Sequence, residues 1–96
     1  MSDFRWDGKY LTNRGSRIAE FDGKSVRERG SRVLEWDGKY IRRQGNRIAE
    51  WDGSYIRIDN RRVADERQIC KDIDNRAGFF DAGMVVMWVY LQTAGA

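Results

Sequence analysis

The feature that most constrains this chain is a period of fifteen residues. Trp6, Phe21, Trp36 and Trp51 stand fifteen apart, and each is followed by an Asp-Gly pair, at 7–8, 22–23, 37–38 and 52–53. The same spacing carries Gly15, Gly30, Gly45 and Asn60; Arg17, Arg32, Arg47 and Arg62; Ile18, Val33, Ile48 and Val63; and Glu20, Glu35, Glu50 and Asp65. Self-similarity over four units means one small element used repeatedly, with a core completed only when neighbours stack. A unit this short cannot hold a pair of helices, and its glycine and β-branched residues disfavour helix. Each repeat is therefore read as two short antiparallel strands.

Turn chemistry and parity then restrict the register. Asp-Gly favours a two-residue hairpin turn, because both of its positions accept positive φ. This reading pairs Trp36 with Lys39, Glu35 with Tyr40, Leu34 with Ile41 and Val33 with Arg42. One face holds Trp36, Leu34 and Ile41; the other holds Val33, Tyr40, Glu35 and Arg42. Side chains alternate with period two while the repeat length is odd, so an even second loop would exchange the faces at every unit. The second loop is expected to be odd: three residues, such as Arg43-Gln44-Gly45, with the last in the left-handed conformation. Asn60, in the fourth unit, is the residue best able to replace glycine there.

The resulting fold class is mainly β. Four tandem 15-residue β-hairpin repeats form an antiparallel meander of about eight strands ending near Asp65, set about a pseudo-fourfold axis that reduces exposed edges. Residues 1–65 make up the repeat domain, and residues 66–96 a connecting segment followed by an apolar C-terminal one. Hairpins marked by aromatic-Asp-Gly, a following apolar pair such as Tyr40-Ile41 and a second glycine turn resemble the four-fold beta flower proteins of bacteria. The resemblance covers about Phe4 to Asp65. It implies the fold and brings no catalytic residues with it.

From Ala77 to Leu91 the only charge is Asp81, and residues 84–91 are an unbroken apolar run. Asp81 is placed to cap a helix from Ala82 to about Gln92, with Met84, Met87, Trp88 and Leu91 on one side. The β-branched residues within the run argue for a strand instead; helix is favoured. The run is short of the ~18 residues of a membrane span. Met84, Val85, Met87, Trp88 and Leu91 are therefore expected to pack on the repeats or on another chain. Apolar residues on both strand faces lead to the expectation of a homo-oligomer.

The chain has 96 residues with no histidine, no proline and one cysteine, Cys70. Imidazole bases and ligands are excluded, as are intrachain disulfides and multi-cysteine zinc sites. Cys70 has no activating motif and is read as an inert thiol in a cytoplasmic setting, since Met1-Ser2-Asp3-Phe4-Arg5 lacks the pattern of a secretory signal. Asp72-Ile73-Asp74-Asn75 has the opening spacing of a calcium loop, but Arg76 takes the next ligand position and no closing glutamate follows. No metal, cofactor or catalytic residue is expected.

The balance of 18 basic and 15 acidic residues gives +3. Basic and acidic side chains alternate, so Arg17, Arg32, Arg47 and Arg62, with Arg27, Arg42 and Arg57, are read as an ion-paired strand surface and not as a nucleic-acid footprint. The expectation is a non-enzymatic structural or protein-interaction domain that self-associates. The alternative is a carbohydrate or cell-wall binding module using Trp6, Phe21, Trp36 and Trp51 as aromatic platforms. Its sites would be altered in the second repeat, where Ser25 stands in place of Tyr10, Tyr40 and Tyr55. A membrane-active tail is the least favoured reading.

Overall fold

The computed structural model describes residues 3–75, 78 and 80–94. Nine strands follow one another as an antiparallel meander: β1 (Phe4–Trp6), β2 (Tyr10–Asn13), β3 (Ser16–Phe21), β4 (Ser25–Glu28), β5 (Ser31–Trp36), β6 (Tyr40–Arg43), β7 (Asn46–Trp51), β8 (Tyr55–Ile58) and β9 (Arg61–Asp65). A short helix, α1 (Glu66–Asp72), leads into β10 (Ile73–Asn75), and the last described element is α2 (Ala82–Ala94). β10 lies parallel to β1, pairing Phe4 with Ile73 and Trp6 with Asn75. The sheet order is thus β10-β1-β2 through to β9. Neither α1 nor β10 was expected from the sequence.

Both turns of the repeat differ from the expected ones. Trp36 pairs with Ile41 and Glu35 with Arg42, so the register is slipped by two residues and the connection spans residues 37–40. Only Gly38 takes positive φ in the Asp-Gly pair (104°). Asp37 serves the turn through its side chain, whose Oδ1 accepts the backbone N–H of Lys39 at 3.0 Å and of Tyr40 at 2.7 Å. The carboxylate thereby stands in for a backbone turn partner. Asp7, Asp22 and Asp52 accept the corresponding pairs of N–H groups.

The two-residue turn occurs at the other end of the hairpin. Arg43 pairs with Asn46 across Gln44 (φ 52°) and Gly45 (φ 83°), two successive positive-φ residues as a type I′ turn requires. In the fourth repeat Asp59 and Asn60 do the same, at φ 53° and 64°. The second loop is even, then, and the odd residue sits inside the strand. Ile41 faces Ala49 while Arg42 faces Arg47, leaving Ile48 as a β-bulge; Ile18, Val33 and Val63 take that place in the other repeats. Parity is satisfied by a bulge where a three-residue loop was expected. The expected faces survive, because a slip of two residues moves no side chain across the sheet.

Bulges bend a strand and increase its twist. Ten strands laid flat at ~4.8 Å spacing would span about 43 Å, more than the longest dimension of the molecule, 33 Å. The sheet is rolled, and α1 joins its first and last strands in space. The inner face carries Trp6, Leu11, Ala19, Val26, Leu34, Ile41, Ala49, Ile56 and Ala64, all buried, with Phe21, Trp36 and Trp51 half-buried beside them. These residues share one core with Ile69, Ile73 and residues 84–90 of α2.

Asp81 caps α2 through its carboxylate, which accepts the Met84 N–H at 3.2 Å. The helix has no polar face: Met84, Val85, Val86, Met87 and Val89 are all fully buried, and Trp88 and Tyr90 nearly so. A helix apolar all round belongs in an interior, and here the sheet supplies that interior. The expectation of one packing side with Met84, Met87, Trp88 and Leu91 is corrected accordingly; Leu91 is only half-buried. Gly83 is where sheet and helix touch most closely. A Cβ there would lie 2.2 Å from the Trp6 ring, so only glycine admits the indole. Among the described residues no helix is long and apolar enough to cross a membrane.

Candidate functional site

The helix fills the interior, so surfaces able to meet a partner lie at the rim and on the outer face. At the rim, the aromatic positions surround the start of α2 and are not equivalent. Trp6 is fully buried and donates its indole N–H to Asp81 at 3.1 Å. Phe21 packs against Trp6 at 6.4 Å, and Trp51 against Phe80 at 5.7 Å. Trp36 and Phe21 line a cleft of about 640 Å³ that reaches Asp81 and Gly83. The four candidate platforms are therefore divided: Trp6 is a core residue, and Phe21, Trp36 and Trp51 are half-buried against the core.

Met84, Val85, Met87 and Trp88 lie within the core of their own chain. Trp88 is further held by donating its indole N–H to Asp72 at 2.7 Å, toward the seam that α1 spans. Cys70 is exposed on α1, and its thiol is raised above the ordinary value first by partial desolvation and then by the Glu66 carboxylate. A thiol raised in this way is a poor nucleophile. Ile73–Asn75, the middle of the calcium-like sequence, is strand. Among the described residues no group of three or more acidic or cysteine side chains gathers as a metal site would require.

The outer face is more organised. Successive hairpins are separated by grooves of about 320, 340 and 350 Å³. Each is lined by an arginine, the bulge residue, a glutamate and the next repeat's arginine: Arg17, Ile18, Glu20 and Arg27; then Arg32, Val33, Glu35 and Arg42; then Arg47, Ile48, Glu50 and Arg57. Glutamate and arginine face each other directly across the strands in every groove. Arg27, Arg42 and Arg57 also reach the turn carboxylates of Asp22, Asp37 and Asp52, at 3.4, 2.6 and 3.1 Å. Those three carboxyls lie below the ordinary 3.8, chiefly because each accepts two backbone N–H groups, with the arginine adding to the effect.

A second set of contacts places cations over tyrosine rings. Arg17, Arg47 and Arg62 lie over the rings of Tyr10, Tyr40 and Tyr55 at 4.0, 4.2 and 4.6 Å. Lys9 and Lys39 approach the Tyr10 and Tyr40 rings at 5.3 Å. These are cation–π distances. The second repeat departs from the pattern. Ser25 pairs with Glu35 as Tyr40 pairs with Glu50, but it offers no ring to Lys24 or Arg32. A cleft of about 550 Å³ lies there, lined by Lys24, Ser25, Arg32, Glu35, Trp36 and Arg42. It shares Arg32, Glu35 and Arg42 with the adjoining groove, which ends on Tyr90 of α2. The Tyr90 hydroxyl is held above its ordinary value, first by burial and then by the charge of Glu28, to which it hydrogen-bonds.

In the sequence, Ser25 stands out as the break in the tyrosine set. That the lysine and arginine flanking it frame a cleft is not visible there, because only the register brings residues 24, 25 and 32 together. Comparison of the chain with protein-family models, with curated proteins and with solved structures found no match.

Proposed function

We propose that this chain is a non-enzymatic interaction module that engages a polypeptide partner on its outer face, centred on the hairpins of β4 to β7. The observation that carries this reading is the repeated arginine–glutamate groove, joined at one place by a second cleft where the tyrosine ring is absent. Charged and hydrogen-bonding groups around small apolar patches suit recognition of a peptide. The fifteen-residue spacing of the registers supports four hairpins about a pseudo-fourfold axis, as the resemblance to the beta flower proteins implies. Association of copies through Met84, Val85, Met87 or Trp88 would require withdrawing α2 from the sheet, so the interaction is assigned to the exterior.

The test is selection of displayed peptides on the folded protein, followed by their affinity for an Arg32→Glu, Arg42→Glu variant. Selected peptides should lose at least tenfold in affinity to that variant. Peptides indifferent to it would defeat the proposal. The runner-up is glycan binding, favoured by one observation: Trp36 and Phe21 line the cleft at the rim. A change in tryptophan emission with an oligosaccharide panel, abolished by Trp36→Ala, would establish that reading instead.

A further inference from the structure

We infer that the cleft at Ser25 receives one aromatic side chain of a partner polypeptide, seated between Lys24 and Arg32. The inference rests on the interaction reading above and names what the site would take. Its warrant is internal to the molecule. In the first and third repeats a tyrosine ring lies near both a lysine and an arginine: Lys9, Tyr10 and Arg17, then Lys39, Tyr40 and Arg47, with Arg42 a further 5.9 Å contact on Tyr40. The second repeat keeps both cations, as Lys24 and Arg32, and the opposite carboxylate, as Glu35, while the ring is missing.

Lys24 and Arg32 are both exposed and line the cleft with Glu35, Asp37 and Arg42, and neither has the ring face that their counterparts in the first and third repeats lie over. A π-face presents negative charge to both, which makes an aromatic ring the group best matched to the slot. Ser25, at 6% exposure, lies deep in the cleft, whose lining also includes Trp36, Asp37 and Arg42. Among the described residues Tyr10, Tyr40 and Tyr55 are placed in their own repeats and Tyr90 lies on α2, hydrogen-bonded to Glu28, so none of these rings fills the cleft.

The experiment is an amide-resolved NMR titration of the full chain with N-acetyl-tyrosinamide, with N-acetyl-leucinamide as the apolar control. The expected result is saturable shifts at the amides of Lys24, Ser25, Arg32 and Glu35 with tyrosinamide and none with leucinamide. Ser25→Tyr, which supplies the ring in cis, should abolish the shifts. Arg32→Ala should weaken binding by about two- to fivefold. Tyr40→Ser should open a second site, with new shifts at Lys39 and Arg47. Wild-type protein that shows no shifts, or a folded Ser25→Tyr variant that keeps them, overturns the inference. Should selected peptides require Arg32 and Arg42 yet bind equally well without any aromatic residue, the seated ring is refuted and the interaction module stands. Peptides that ignore both arginines refute the module itself, whatever tyrosinamide does.

Discussion

The second hairpin unit, residues 21–35, differs from its three neighbours both inside and outside the sheet, and the two sets of differences behave in opposite ways. Inside, Phe21 replaces tryptophan and Val26 replaces leucine or isoleucine, while Leu34 takes the place of Ala19, Ala49 and Ala64. Two losses of volume are met by one gain, and Val26 and Leu34 are both buried in the core that α2 shares. Outside, Ser25 replaces a tyrosine without a larger side chain appearing at a neighbouring repeat position, and a cleft lies beside it. A close-packed interior exacts compensation, because a void forfeits contacts on every side. The solvent-facing surface exacts none, so an uncompensated change there is free to make a site.

The largest test of this contrast is Leu34→Ala, which gives the second unit its neighbours' alanine without their tryptophan. It should cost about 2–5 kcal/mol in chemical denaturation, with the slope unchanged. The converse, Ala49→Leu, should cost about 1–3 kcal/mol by overpacking. If Leu34→Ala proves neutral, compensation within the unit is refuted.

Gly83→Ala asks whether the helix and sheet share one tight interior. The added methyl collides with the Trp6 indole, and a loss of about 1–3 kcal/mol in denaturation is expected. The Trp6 emission should shift as the ring is displaced. A stable variant with unchanged emission would mean that α2 can slide within the sheet.

A smaller effect comes from the turns. The carboxyls of Asp22, Asp37 and Asp52 are held below 3.8 in the folded chain. Groups with a depressed folded value contribute stability that is present above the unfolded value and is lost as pH falls through the folded one. Thermal stability should therefore decline on acidification from about pH 4 downward. Replacing all three by asparagine, which keeps an acceptor oxygen but no titration, should flatten that decline. A decline of unchanged steepness would assign it to other groups. Smallest of all, Ser25→Tyr should raise stability by about 0.5–1 kcal/mol through the restored ring contacts. A loss of stability would show that the cleft is not shaped for a ring.

Much of this architecture could be read from residues alone. The faces of Trp36, Leu34, Ile41, Tyr40 and Arg42 follow from alternation, and the positive-φ place of Gly45 and Asn60 from the glycine period. The burial of residues 84–90 and the capping role of Asp81 follow from an apolar run preceded by a short acceptor side chain. The grouping of Lys24, Ser25 and Arg32 was only half legible. Ser25 breaks a visible pattern, but nothing in sequence distance shows that two cations flank the break.

What the sequence by itself determined was parity: an odd repeat must place one residue out of step with the pleat, four times over. Where that residue goes was decided by tertiary structure. A three-residue loop and a two-residue loop followed by a bulge consume the same residues and keep the same faces, so the hydrophobic pattern cannot separate them. The bulge bends each hairpin, and a bent sheet can surround α2 and bury it on every side. The same holds for the two-residue slip at the Asp-Gly turns and for the parallel pairing of β10 with β1. Local chemistry dictates which way side chains point. Register and closure belong to the whole molecule, because they follow from how much interior must be enclosed and by what.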